Sequence, residues 1–251
     1  MGGDEAAARA RSFGAVAAAY AEHRPGYPRA ALEWALQPLS GRPRPHLLDL
    51  GAGPGTLIEA LPPDAPVTAV EPDPAMLDVL RARFPAVQAW EGSAEAIPLP
   101  GGSVDAVLVG QAWHWFALDR ALPEIARVLR PGGVLAVVRN DEDPDTPLMN
   151  TFLGADALAA REVGHVHGSV PPSHDALAPV SRRRFSNPHP TDVESTIARL
   201  GTFSWMLTAP PVERAAFERR VRAYLATRPE VSPEGAFTLP LVTTVLRALR
   251  R

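Results

Sequence analysis

The chain of 251 residues is 46% hydrophobic and 21% charged and has a net charge of −3, which suits a globular domain and argues against a nucleic-acid partner. It contains no Cys and no Lys, which excludes disulfides, thiolate metal sites, cysteine nucleophiles and Schiff-base chemistry. No apolar run approaches the roughly 18 residues that span a bilayer, and no secretory signal is recognisable, so we expect a cytoplasmic protein without a membrane partner.

Short apolar runs alternate with helical patterns along the chain, which is typical of a parallel sheet covered by helices on both faces. Helices are predicted at residues 5–21 and 28–38, and strands at 46–50, 67–71, 87–90, 104–109 and 134–139. Between the strands we predict a crossover helix beginning at 56–61, a helix over 74–84 with Asp73 as N-cap, a helix over 118–129 and a tight RPGG turn at 130–133. The second half predicts helices at 146–163, 191–200 and 212–227, a strand within 181–188 and a final strand at 241–246.

A glycine-rich turn follows the first strand in HLLDLGAGPG, His46–Gly55. Gly51, Gly53 and Gly55 let the backbone approach a ligand closely, because no Cβ stands in the way. Glu71 ends the second strand 20 residues after Gly51, where a carboxylate can accept hydrogen bonds from ribose hydroxyls. The pattern therefore predicts a nucleoside-binding unit, with a structural glycine turn as the alternative.

The glycine spacing indicates which kind of nucleoside is bound. A dinucleotide fingerprint would place its third glycine at position 56, where this chain has Thr56. Pro54 also removes one backbone N–H donor from the loop, which a pyrophosphate would need. Both features disfavour a nicotinamide-dependent dehydrogenase and favour a cofactor without phosphates.

Several further segments follow the same pattern as a known family. They are FGAVAAAYAEHRPGYP (13–28), DLGAGPG (49–55), VEPDPAML (70–77), EGSAEAIPLPGGSVDAV (91–107), GQAWHWF (110–116) and RVLRPGGVLAVV (127–138). Over about residues 13–140 the chain resembles the small-molecule branch of the class I S-adenosylmethionine-dependent methyltransferases. The resemblance implies an α/β, Rossmann-like, doubly wound sheet of seven mostly parallel strands, with the last strand antiparallel. It also implies a single domain composed of an N-terminal helical lid (1–40), a cofactor-binding core (41–140), a variable substrate-side region (141–235) and a C-terminal strand (236–251).

The resemblance further implies a role for each matching position. The methionine part of the cofactor would lie against Gly51, Ala52 and Gly53, and the ribose against Glu71. The resemblance implies that the adenine is surrounded by Pro72, Met76, Ser93, Ala94 and Glu95. It implies that Gln111 and Ala112 lie over the sulfonium, and that Tyr20 and Arg24 bind the carboxylate of the cofactor. The residues themselves leave alternatives open, since Glu71 could cap its loop, Met76 could be core, and Arg24 could lie in a surface turn.

The cluster after the fourth strand is the predicted place of the chemistry, because ligands bind at the carboxyl edge of open parallel sheets. His114 is the general-base candidate, with a structural loop-positioning role as the alternative. The substrate pocket is predicted to contain Trp113, Trp115, Phe116, Phe203 and Trp205, with at least one of the first three in the core. Methyl transfer needs no metal, and we assign none to the histidines at 165, 167, 174 and 189.

These observations predict a methyltransferase that acts on an oxygen or carbon of a small, apolar or aromatic metabolite, in a specialised-metabolism setting. The product form of the cofactor is S-adenosylhomocysteine. We expect a monomer or homodimer. The alternative is a protein of the same fold that binds the cofactor without transferring methyl, either as a cyclase-type catalyst or as a binding module.

Overall fold

The structure is a computed structural model that describes residues 17–155, 171 and 173–251. Its strands are β1 (Leu47–Leu50), β2 (Val67–Glu71), β3 (Gln88–Glu91), β4 (Val104–Gly110), β5 (Leu129–Glu142), β6 (Ser181–Ser186), β7 (His189–Asp192), β8 (Ala236–Leu239) and β9 (Leu241–Leu249). Its α-helices are α1 (Ala17–His23), α2 (Arg29–Leu36), α3 (Pro74–Arg83), α4 (Leu118–Val128), α5 (Met149–Ala155), α6 (Val193–Gly201), α7 (Ser204–Thr208) and α8 (Pro211–Leu225).

Seven strands form one sheet in the order β3-β2-β1-β4-β5-β9-β6. The neighbouring strands β3, β2, β1, β4 and β5 pair in parallel, whereas β9 runs antiparallel to both of its neighbours, β5 and β6. The order reverses direction at β1 and β4, which is the switch point where doubly wound sheets bind their ligands. The predicted Rossmann-like sheet with an antiparallel last strand is therefore confirmed, and that strand is inserted between β5 and β6.

The central strands are continuous apolar runs because helices cover both faces of the sheet. All residues of β1 are buried, and so are the first six residues of β4. One face packs against α4, whose buried side includes Leu122 and Ile125, and the other packs against α2 through Leu32. The edge strand β6 is exposed and carries Arg182, Arg183 and Arg184, and charged side chains on an edge hinder pairing with other chains.

Most of the predicted elements agree with the structure to within a few residues. The N-cap at Asp73 is confirmed, because its carboxylate accepts hydrogen bonds from the backbone N–H groups of Ala75 and Met76. The final strand extends further than predicted, to Leu249, and residues 236–239 pair with β7 in a separate two-stranded sheet. Parts of the predicted helices, residues 5–16 and 156–163, lie outside the described residues, as do His165 and His167.

Two local predictions are wrong. The segment Thr56–Leu61 forms turns and one 3₁₀ turn, Ile58–Ala60, instead of a crossover helix. Prolines at 54, 62 and 63 bound a stretch too short for stable α-helical turns. RPGG is not a tight turn but an irregular part of β5, where the register with β4 shifts. Gly132, whose φ is 71°, and Gly133 form backbone hydrogen bonds with Arg250 after β9, which hold this irregular segment against the end of the last strand.

A second apolar core lies in the cap, which we define as α5 to α8 together with β7 and β8. Phe217, Val221 and Leu225 of α8 are almost completely buried and pack with Leu200 of α6 and Met206 of α7. Tyr224 joins this core to the chain after β5 by donating a hydrogen bond to the carbonyl of Leu148. Among the described helices, none is both long and apolar enough to cross a membrane.

Candidate active site

A cavity of about 220 Å³ lies at the carboxyl edge of the sheet. Its walls come from the ends of β1, β4 and β5, from α1 and the turn after it, and from α6 and α7 of the cap. Three separate parts of the chain therefore converge where the strand order reverses. This is the position that sheet topology predicts for a bound small molecule.

The glycine loop forms the floor of the cavity, and its three glycines all have positive φ. A Cβ on Gly51 would lie 2.6 Å from the Cβ of Ala112, and one on Gly55 would lie 2.6 Å from the ring of Phe84. A Cβ on Gly53 would meet no atom within 4 Å, because this glycine faces the open cavity. The first and third glycines thus allow close packing, whereas the second leaves room for a ligand.

Glu71 supports this loop from beneath. Its two carboxylate oxygens accept hydrogen bonds from the backbone N–H groups of Gly53 at 2.8 Å and Asp73 at 2.9 Å. Burial is the main cause that raises its pKa to about 7. The loop-capping role considered for Glu71 is therefore present in the structure, and each oxygen keeps a lone pair with which it could also accept from a ribose hydroxyl.

The residues predicted around the adenine lie on the loops after β2 and β3, which are neighbouring strands. Pro72 is half-buried, and Met76 on α3 is only 3% exposed, so its side chain is part of the core as well as a candidate wall. Their contact with adenine stays a prediction.

The loop after β3 contains the remaining adenine candidates. Ala94 is buried in the core and Ser93 is half-buried, and Ser93 forms a short bridge with Ala96. The carboxylate of Glu95 accepts a hydrogen bond from the backbone N–H of Ala117 at 2.8 Å. Glu95 thereby holds the N-terminus of α4 in place, a role that the sequence pattern did not indicate.

Gln111 follows β4 with a backbone φ of 57°, which is uncommon for a residue with a side chain. Its N–H donates to the carbonyl of Val138 and its side-chain amide donates to the carbonyl of Asn140. These bonds hold the strained residue on the cavity wall, a conformation typical of functional sites. Ala112 next to it packs on Gly51, so its contribution is to position the glycine loop.

The predicted aromatic residues separate into two groups. Trp113 is 4% exposed and packs in the core with Phe116, at 5.8 Å between ring centroids. These two do not line the cavity. The 3₁₀ turn Trp113–Trp115 directs Trp113 toward the core, whereas His114 and Trp115 line the cavity. Trp115, Phe203 and Trp205 do line it. The structure thus corrects the predicted pocket by removing Trp113 and Phe116 from it.

His114 lies on the cavity wall and contacts the ring of Trp115 at 4.5 Å between centroids. Burial, followed by the charges of Arg24 and Arg139, lowers its pKa to about 4. The imidazole is consequently neutral at physiological pH and has a lone pair to accept a proton or a hydrogen bond.

Arg24 joins the lid to the cap at the cavity. Its guanidinium lies between the rings of Tyr20 at 4.6 Å and Phe203 at 4.3 Å, and its Nε donates to the hydroxyl of Thr202 at 3.0 Å. Tyr20 and Arg24 both line the cavity, so the structure brings together the two residues assigned to the cofactor carboxylate. The alternative of a surface turn does not fit this sandwiched position.

Asn140 near the end of β5 was not recognised from the sequence. Its amide donates to the carbonyls of Pro25 and Gly26, and its carbonyl oxygen accepts from the hydroxyl of Thr243 at 2.6 Å. These bonds fasten the RPGYP turn of the lid to the sheet. This turn is therefore held in place at the edge of the cavity.

Asp49 is the acidic residue that sequence reasoning passed over. It lies on the cavity wall at the end of β1 and is 1% exposed, and neither carboxylate oxygen has a hydrogen-bond partner among the described residues. Burial, and next the charge of Glu71, raise its pKa to about 8. Its signal in the sequence was a single acidic residue inside the otherwise apolar strand HLLDL. A buried carboxylate without partners fits a ligand that brings an ammonium group, as S-adenosylmethionine does.

Of the four histidines considered as metal ligands, the structure describes His174 and His189. His174 accepts a hydrogen bond from the backbone N–H of Ala176, and His189 begins β7. Within residues 17–155, 171 and 173–251, no group of three or more His, Asp or Glu is arranged to hold a metal ion.

Comparison with known proteins agrees with this arrangement. A family model described as a methyltransferase domain matches residues 48–137. A methyltransferase of Mycobacterium tuberculosis is 39% identical over 241 residues, which cover 94% of this chain and 95% of that protein. The trans-aconitate 2-methyltransferase of Paracidovorax citrulli is 30% identical over 154 residues, or 55% of this chain and 57% of that protein. A solved structure from Anaeromyxobacter dehalogenans, assigned as a type II methyltransferase, is 29% identical, covers 90% of this chain and 97% of that one, and has a TM-score of 0.59.

The mycobacterial match extends over nearly the whole of both chains, including the lid and the cap. The unpartnered Asp49 and the open space at Gly53 fit the cofactor that such proteins use. The chain therefore belongs to the class I S-adenosylmethionine-dependent methyltransferases.

Proposed function

We propose that this methyltransferase acts on a small molecule, moving the methyl group to an oxygen or carbon of an acceptor with an aromatic or apolar portion. The observation that carries the proposal is the aromatic wall of the cavity, formed by Trp115, Phe203 and Trp205 beside His114. The cavity lies beneath the lid and the cap, which suits a metabolite better than a folded macromolecule. The relationship to a trans-aconitate methyltransferase supports an acceptor of this size.

The cofactor supplies a methyl group already activated by its sulfonium, so the protein must align the acceptor and exclude water. Asp49 would hold the ammonium group of the cofactor, and the backbone at Gly51–Gly53 would lie along its methionine part. Gln111, fixed by its two hydrogen bonds, would stand over the reacting centre. The aromatic side chains of the cap would orient the acceptor by stacking against it.

His114 is the candidate base, and its environment predicts a particular pH dependence. Because its pKa is about 4, it stays neutral as the pH falls from 8 to 6, and kcat should not decline in that range through this residue. His114→Asn should lower kcat about 100-fold and leave the affinity for S-adenosylhomocysteine unchanged. A rate that declines with a midpoint near 6.5, or a variant that loses cofactor affinity and keeps kcat, would contradict this role.

The proposed function can be tested with the cofactor labelled in its methyl group. The purified protein is incubated with a cell extract separated by size into metabolite and macromolecule fractions. We expect label in a compound from the metabolite fraction, heavier by one methylene, together with an equal amount of S-adenosylhomocysteine. Label found only in protein or nucleic acid would overturn the small-molecule proposal. Product that forms without label would instead favour the non-methylating alternative.

A further inference from the structure

A second ionisable group on the cavity wall has no hydrogen-bond or ion-pair partner among the residues that the structure describes. Arg199 of α6 lines the cavity, and its Nε is buried without a hydrogen bond. Across the part of the chain that the structure describes, its guanidinium forms no hydrogen bond or ion pair. The guanidinium carbon lies 5.9 Å from the centroid of the Phe203 ring. Burial and the nearby Arg24 lower its pKa to about 10, so the group is still a cation at neutral pH.

Two of the described carboxylates that line the cavity with Arg199 are committed to other groups. Asp141 accepts from Arg139 at 2.8 Å in a salt bridge. The carboxylate of Glu142 accepts hydrogen bonds from the backbone N–H groups of Leu148 at 2.8 Å and Met149 at 2.7 Å, so it caps the start of α5. Glu142 does favour the charged form of Arg199 from a distance, but it makes no ion pair with it. A desolvated cation in this position is costly unless a ligand supplies the counter-charge.

Arg24 and Asp49, which also line the cavity, already suit the cofactor. Arg24 is held by Thr202 and by two rings, at the place assigned to the cofactor carboxylate. Asp49 lies on β1 and suits the cofactor ammonium. Arg199 comes from the cap, next to the aromatic residues Phe203 and Trp205 that face the acceptor space. The charge left over therefore belongs to the acceptor side of the cavity.

We propose that Arg199 binds a carboxylate of the acceptor, so that the substrate is a small carboxylic acid whose apolar or aromatic portion packs on Phe203 and Trp205. A guanidinium presents paired N–H donors that match the two oxygens of a carboxylate. The carboxylate bound in this way is an anchor, because two charge-assisted hydrogen bonds make its oxygens poorer nucleophiles. This inference rests on the proposed small-molecule function and names its substrate class.

Binding to the protein saturated with S-adenosylhomocysteine tests the inference without any methyl transfer. The probes are phenylacetate and its neutral counterpart phenylacetamide, measured by isothermal titration at millimolar probe concentrations. We expect phenylacetate to bind the wild-type protein about 10-fold or more tighter than phenylacetamide, since a charged pair of hydrogen bonds is lost in the amide. Arg199→Gln should abolish this preference, and Arg199→Lys should restore part of it, because the charge returns without the fork.

Arg182→Gln is the matched control, because Arg182 is exposed on the edge strand β6 and should leave the preference intact. Thermal melting of the variants checks folding, and removing a guanidinium that has no ion-pair partner among the described residues should not lower the melting temperature. Equal binding of the two probes, no binding of phenylacetate, or a preference that survives Arg199→Gln would overturn the inference. So would an Arg199→Gln variant with about 10-fold weaker affinity for S-adenosylhomocysteine, since Arg199 would then serve the cofactor.

The two proposals fail in different experiments. If the labelled methyl group goes only to macromolecules, the small-molecule function is wrong whatever the probes do. If label enters a metabolite while the probes bind equally, the function stands and the carboxylate anchor is wrong.

Discussion

Asp49→Asn should weaken binding of S-adenosylmethionine and S-adenosylhomocysteine by about 100-fold, while the ligand-free protein becomes more stable at pH 8. The carboxylate is buried on the cavity wall, and both of its oxygens lack hydrogen-bond partners. The buried carboxylate therefore destabilises the ligand-free protein, and only the binding of a cation offsets this cost. Asn removes the charge at nearly the same volume, so the same substitution acts on the two properties in opposite directions.

The pH dependence follows from the direction of the shift. The pKa of Asp49 is raised from 3.8 to about 8, so its contribution to stability is complete below about pH 4 and is lost as the pH rises toward 8. The variant and the wild type should thus melt alike near pH 4 and diverge progressively up to pH 8. The expected gain in stability at pH 8 is on the order of 2 kcal/mol, because the amide carries no charge that burial would penalise.

Asp105→Asn is the matched control, since Asp105 is also buried at the sheet but is satisfied. Its oxygens accept from Arg42, from Arg130 at 2.7 Å and from the backbone N–H of His46 at 2.8 Å. These partners hold its pKa below the ordinary value. Asp105→Asn should therefore lower stability at neutral pH and leave cofactor affinity unchanged. Isothermal titration and pH-dependent melting measure both effects, and loss of stability in Asp49→Asn at every pH would contradict the argument.

The sheet could be predicted from local sequence because its strands are buried on both faces. An apolar run such as VTAVE admits few alternatives to a central strand, and the observed β2, Val67–Glu71, agrees with the prediction at both ends. The helix at Pro74 was equally well determined, since Asp73 and the proline together define an N-terminus. The segment after Gly55 failed because its apolar spacing resembles a helix, whereas the flanking prolines limit its length.

The site was less predictable because its polar contacts join residues that are distant in sequence. Asn140 reaches Pro25 across 115 positions, and Arg24 reaches Thr202 across 178. No local pattern distinguishes such a residue from a surface Asn or Arg. Trp113 and Trp115 illustrate a second difficulty, since two positions of the same turn direct one ring to the core and the other to the cavity. The glycine loop was easier to recognise, because its positive-φ turn depends on glycine spacing that the local sequence shows. Its contact with the cofactor stays a prediction.

Gly53→Ala should reduce affinity for S-adenosylhomocysteine about 100-fold with a stability loss of only about 1 kcal/mol. Gly53 has a φ of 55° and lines the cavity, and an added Cβ would meet no protein atom within 4 Å. The methyl group would therefore occupy the space that the cofactor needs, and the stability cost is limited to backbone strain. Isothermal titration and thermal melting of the ligand-free variant separate the two effects.

Two other glycines make the comparison quantitative. Gly102 has a φ of 60° and equally open surroundings, but it does not line the cavity, so Gly102→Ala should lose similar stability and keep full affinity. Gly51→Ala should lose more stability than either, because its Cβ would stand 2.6 Å from that of Ala112. If Gly53→Ala bound the cofactor as tightly as Gly102→Ala, the loop would be a structural turn and not the cofactor's binding surface. Both variants replace a glycine at positive φ by alanine, so they share the same backbone strain. A difference in cofactor affinity between Gly53→Ala and Gly102→Ala therefore reports contact with the ligand.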